Sequence, residues 1–98
     1  MFIVRLNYIV PLETVDNFLP AHVEWLHKHD SAGEFLVYGR LVPRTGGVIV
    51  AKTKCRAELD AILADDPFGR NGVCTYDIAE FSENKSFAEK ARKLGMRG

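Results

Sequence analysis

The sequence predicts an α+β domain in which one four-stranded antiparallel sheet carries two helices on one face. Three observations predict it. Four short segments read as strands, the first and last of them with residues alternating between two faces. Two segments between them follow the 3.6-residue period of an amphipathic helix. The chain of 98 residues is of single-domain size, and its 47% apolar and 27% charged content suits a globular core.

Phe2 to Val10 reads as the first strand, with Phe2, Val4, Leu6, Tyr8 and Val10 on one face and Ile3, Arg5, Asn7 and Ile9 on the other. Pro11 ends it. From Glu13 to Ala32 the period changes, and Val15, Phe18, Leu19, His22, Trp25, Leu26 and His29 share a helical face. Pro20 interrupts this stretch. It either sits in the first turn of a shorter helix or kinks a longer one; the favoured expectation is a regular helix that begins near Pro20. Gly33 closes the helix as its C-terminal glycine.

Glu34 to Val42 and Gly47 to Thr53 are the second and third strands. The turn Pro43-Arg44-Thr45-Gly46-Gly47 joins them, its glycines expected to supply positive φ angles. Arg56 to Ala64 is the second helix, buried through Leu59, Ile62 and Leu63. A short polar connection, Asp65 to Gly72, leads to the fourth strand, Val73 to Phe81. The charged segment after Ser82 is expected to form a short helix from Phe87 to Leu94. These bounds give a folded unit over residues 1–82 and a charged tail over residues 83–98.

The order strand-helix-strand-strand-helix-strand is the split βαβ pattern of ferredoxin-like folds. Both helices cover one face, so large apolar residues remain on the other, and a monomer seldom exposes such a patch. Packing two such faces together gives a twofold homodimer of the α+β barrel type.

Charge and cysteine content narrow the function. Thirteen basic and thirteen acidic residues cancel, which removes the electrostatic signature of a nucleic-acid binder. No apolar run approaches the roughly 18–20 residues of a membrane span. Cys55 and Cys74 lack CxxC spacing and, as two thiols, build neither a disulfide framework nor a zinc site. With a strand beginning directly after Met1 and no signal-peptide pattern, the expectation is a cytoplasmic protein with reduced thiols.

His22 is the first candidate for chemistry. Imidazole titrates near neutrality, so a half-buried histidine on an apolar helix face suits proton transfer. The plainer reading is a core histidine bonded to backbone. Metal binding is poorly supported, because His22 and His29 stand seven residues apart, roughly 10 Å along a helix, and His27 points elsewhere. Asp65-Asp66-Pro67-Phe68 is the second candidate. A carboxylate before proline is commonly a turn or cap. Held against an imidazole nitrogen, it would instead fix the tautomer and free the other nitrogen as a base. No serine or cysteine stands in a nucleophile motif, and Gly46-Gly47 joins strands instead of opening a phosphate-binding helix.

The runs Leu19-Pro20-Ala21-His22-Val23, Gly39-Arg40-Leu41-Val42-Pro43-Arg44-Thr45-Gly46-Gly47-Val48-Ile49 and Asp66-Pro67-Phe68, followed by Gly72-Val73, Tyr76, Ile78 and Phe81, resemble the YciI-like (YCII-related) domain family. The resemblance covers residues 2 to about 82. Many members carry Gly-Pro where this chain has Gly39-Arg40. The resemblance implies a ferredoxin-like, usually dimeric domain with a His/Asp-centred cleft, the histidine being His22 and the aspartate Asp66. The architecture is similar to that of muconolactone isomerase and small cofactor-free monooxygenases, which act on cyclic oxygenated compounds; that is fold analogy.

The functional expectation is a cofactor-independent lyase or isomerase that uses no metal and acts on a cyclic oxygenated small molecule. His22 would move the proton and Asp66 would orient it. Arg40 would hold an oxyanion, and Phe68 and Tyr8 would line the pocket. The alternative is a non-catalytic small-molecule-binding or interaction module that keeps the pair as a structural hydrogen bond.

Overall fold

The computed structural model describes residues 1–84 and 87–93. The chain runs β1 (Phe2–Tyr8), α1 (Leu12–Ser31), β2 (Phe35–Arg40), β3 (Gly46–Ala51), α2 (Arg56–Ala64), α3 (Pro67–Arg70), β4 (Cys74–Glu80) and α4 (Phe87–Lys93). Leu94, the expected end of α4, lies outside the described residues. The strand order β2-β3-β1-β4, antiparallel throughout, is that of the ferredoxin-like pattern.

Register assigns each strand residue to a face. Phe2, Val4 and Leu6 point toward the helices and are buried, as are Phe35, Ile49 and Ala51. Arg40, Gly47, Leu6 and Tyr76 are paired in succession across all four strands and therefore share the helix-side face. On the opposite face Val37, Val50, Ile3 and Ala79 form a corresponding row.

α1 differs from the sequence expectation. It is one continuous helix from Leu12, with Pro20 inside it and exposed. An interior proline costs about 3 kcal/mol. Offsetting this, Val15 is fully buried and Phe18 and Leu19 pack on the core, and a buried apolar side chain is worth about 1.5–3 kcal/mol. Burial of the stripe wins over local propensity. The helix ends as expected at Gly33, whose φ is 78°. Gly33 N–H donates to Asp30 O and Glu34 N–H donates to His29 O, the two bonds of a Schellman motif.

Two further expectations are corrected. Gly46 and Gly47 do not supply positive φ; among the described glycines only Gly33 and Gly72 do. They are the first residues of β3, where a Cβ on Gly46 would collide with the Leu6 carbonyl. The connection after α2 is also not purely a loop, because Asp66 caps a one-turn helix, α3, with Pro67 at its first position.

Candidate active site

The site begins with α1. Its inward stripe places His22, 7% exposed, over the sheet. Phe68 of α3 stacks on the imidazole, with ring centroids 3.8 Å apart and planes 7° from parallel, which fixes the ring's orientation. Trp25 flanks it at 5.4 Å and donates its indole N–H to Ile62 O, tying α1 to α2.

Asp66 is completely buried. Its Oδ1 lies 2.7 Å from His22 Nδ1 and accepts the Phe68 backbone N–H at 3.0 Å. Its Oδ2 accepts the Tyr76 hydroxyl at 2.6 Å. A carboxylate only accepts, so the imidazole proton sits on Nδ1. Nε2 has no hydrogen-bond partner among the described residues and is not sealed from solvent.

Beside His22 lies a cavity of about 120 Å³ between α1 and the β2-β3-β1 part of the sheet. Its existence follows from register. Gly47 occupies the helix-side position between Arg40 and Leu6, so no side chain fills that place. Tyr8 and Phe68, expected from the sequence to line a pocket, and Arg40, expected to hold an oxyanion, all line this cavity with His22, whereas Asp66 lies behind the imidazole. Among the described residues that line the wall, Arg40 alone carries a permanent charge. Tyr8 meets Phe68 edge-on at 5.9 Å.

The β2–β3 connection is fastened over this end by Arg44, which bonds Asp16 of α1 at 2.6 Å and also reaches Tyr8. The hydrogen bond from Arg44 holds the Asp16 carboxyl below its ordinary range. Tyr38 also lines the cavity and donates to Asp30 at 2.9 Å, which raises its titration. Burial, with the bond to Asp66 second, pushes the Tyr76 hydroxyl well above the ordinary phenol value, and burial pushes the Cys74 thiol up to about 11. Among the described residues no group of three or more His, Cys, Asp or Glu side chains is placed to hold a metal ion.

Sequence reasoning did not assign Tyr76 to the site. A signal for it exists: on β4 the inward residues are Cys74, Tyr76 and Ile78, and only Tyr76 among them carries a strong donor. The role of Gly47 in opening the cavity was also missed, because a Gly-Gly pair between strands reads as a turn.

No curated protein matches the chain. Among solved structures it is similar to 5-chloro-2-hydroxyhydroquinone dehydrochlorinase from Burkholderia phenoliruptrix AC1100, in complex with 2,5-dihydroxybenzoquinone. The TM-score is 0.71 at 16% identity, over 86% of this chain and 96% of that one. At that identity the likeness is one of fold. No helix among the described residues is long and apolar enough to cross a membrane. The family model of the YCII-related domain matches residues 1–82, every residue of the sheet and of its helix layer, and the chain belongs to that family.

Proposed function

We propose that the chain is a small-molecule enzyme that moves a proton on a cyclic oxygenated compound, with His22 as general base and Asp66 as the group that orients it. One observation carries the reading: His22 lines a cavity with its Nε2 unbonded while Nδ1 is held by a buried carboxylate. The cavity is of single-ring size, since a dry cavity of about 150 Å³ accepts benzene. Support from outside the chain comes from the structurally similar dehydrochlorinase, whose bound ligand is a dihydroxylated quinone.

In this reaction Nε2 takes a proton from a C–H or O–H next to a carbonyl of the ring. The electron pair left behind is delocalised as an enolate, whose oxygen Arg40 meets. Return of the proton from His22 to another ring atom completes an isomerisation. Departure of a leaving group with its bonding electrons completes an elimination, and His22 then releases the proton to water. Both outcomes are redox-neutral and use no cofactor. Phe68 and Tyr8 supply the apolar walls.

A second reading, a small-molecule-binding or interaction module, is favoured by the cap that Asp66 makes on α3. Under it the pair is a fastening. Hydroxylated quinones and halogenated hydroxyhydroquinones incubated with the protein in D2O separate the two. The enzyme reading expects ring deuteration or loss of a ring substituent, seen by NMR, that His22→Asn abolishes. No turnover across the panel, with equal ligand binding by wild type and variant, favours the module.

The assembly we propose is a homodimer through the open sheet face, where Ile3 and Val37 are 41% and 59% exposed. Sedimentation at micromolar concentration should give twice the chain mass; a stable monomer would refute it.

A further inference from the structure

We infer that Tyr76 is a positioning residue for the His22–Asp66 pair and that Gly69 is glycine to give it room; the inference rests on the reading of His22 as a base. Asp66 presents two oxygens in a site closed to solvent. Oδ1 serves His22 and the Phe68 N–H. Oδ2 would be a buried, unpaired carboxylate oxygen were it not for the Tyr76 hydroxyl at 2.6 Å. The two anchors come from different elements, α3 through Phe68 and β4 through Tyr76. Together they pin the carboxylate at both ends, so that Oδ1 stays aimed at Nδ1. Burial keeps the Tyr76 phenol protonated and therefore a donor.

Tyr76 does not line the cavity beside His22. It faces a separate groove with Leu63, Gly69, Arg70 and Ile78, and so acts on the imidazole only through Asp66.

Gly69 supplies the independent observation. Its φ is not positive and it lies within α3, where alanine is the better helix former. A Cβ there would stand 2.5 Å from the Tyr76 hydroxyl oxygen and 3.1 Å from a ring carbon. Retreat of the hydroxyl from that Cβ would strain its bond to Asp66. Backbone conformation does not account for this glycine, and clearance for Tyr76 does.

Loss of the Tyr76 bond would let the carboxylate rotate toward another donor. His22 would then sample the Nε2–H tautomer, which has no lone pair to offer on the cavity side. Long-range 1H–15N spectra recorded above the usual imidazole range report this tautomer directly. We expect wild type to hold His22 in the Nδ1–H form. Tyr76→Phe and Gly69→Ala should each raise the share of the Nε2–H form about tenfold, with His29 unchanged as the internal control. Asp66→Asn tests the underlying pair. If it shifts His22 while Tyr76→Phe and Gly69→Ala leave the spectrum of wild type, the pair stands and the positioning role is refuted. If Asp66→Asn also leaves His22 unchanged, the oriented-base reading itself falls. Should Tyr76→Phe not fold, Gly69→Ala decides by the same criterion.

Discussion

α1 carries two histidine–carboxylate pairs on one face, and they differ in what lies beyond the ring. His22 Nδ1 meets Asp66 at 2.7 Å and His29 Nδ1 meets Glu34 at 2.6 Å; both histidines are 7% exposed. Asp66 is fully buried and takes two further donors, whereas the Glu34 side chain is 25% exposed and lies only five residues from its partner. The free nitrogen differs most. His22 lines a cavity and its Nε2 is not sealed from solvent, while Nε2 of His29 is buried without a partner, its ring set between Trp25 and Phe35. A short imidazole–carboxylate contact therefore does not by itself make a site. In the function proposed above, space beside the ring is what sets His22 apart.

Removing the two carboxylates should give the largest contrast. Asp66→Ala leaves three donors without an acceptor in a closed site and should cost about 3–5 kcal/mol of stability. Glu34→Ala takes away one bond at a partly exposed position and should cost about 1 kcal/mol. Urea denaturation of both variants measures the difference; equal losses would remove the distinction between the pairs.

Replacing the imidazoles comes next. His22→Phe removes one of the three donors to the buried Asp66 carboxylate and should cost about 1–3 kcal/mol. His29→Phe loses the bond to the partly exposed Glu34 but also removes a buried nitrogen that has no partner and keeps an aromatic ring beside Trp25 and Phe35, so its net cost should be less than about 1 kcal/mol. Thermal melts check the ranking, and a His29→Phe variant that fails to fold would overturn it.

Alkaline pH should act on the His22 side of the fold. In the folded chain Cys74 titrates near 11, above its ordinary value of 9.0, and Tyr76 is raised too. The unfolded chain thus loses these protons first, so stability is retained below about pH 9 and falls as pH rises toward about 11. Cys74→Ala should make the profile of urea midpoints flatter over this window. An unchanged slope would show that Cys74 does not contribute.

The smallest effect is expected at Gly69. Gly69→Ala should cost stability in wild type but about 0.5–1 kcal/mol less in a Tyr76→Phe background, where the hydroxyl that meets the new Cβ is gone. Additivity in this double-mutant cycle would contradict the steric account.

The same contrast explains what the sequence could reveal. The first and last strands follow from a period of two, the two middle strands from short apolar runs around a Pro- and Gly-containing turn, and the helices from the 3.6 period; α2 has the expected bounds, Arg56–Ala64. Periodicity also placed His22 inward. It could not show that α1 runs through Pro20, because that outcome depends on how much of the Val15–Leu19 stripe the sheet buries. His22 and Asp66 are 44 positions apart, so their contact is invisible to spacing; the residue types raised it as one option, and the family resemblance singled out Asp66. The His29–Glu34 pair is close in sequence yet gave no signal, since no motif distinguishes it. Gly47 and Gly69 were hardest to read. Their contribution is empty space, which depends on the neighbours that register and packing bring.

The most direct test of the account is a binding titration with 2,5-dihydroxybenzoquinone, the ligand of the structurally similar dehydrochlorinase, against wild type, His22→Asn and His29→Phe. The expected result is saturable binding by wild type and His29→Phe with equal affinity, and affinity at least about tenfold weaker in His22→Asn, which is about 1.4 kcal/mol. Equal binding by wild type and His22→Asn, or a loss in His29→Phe as large as in His22→Asn, would contradict the claim that the cavity beside His22 is what sets the two pairs apart.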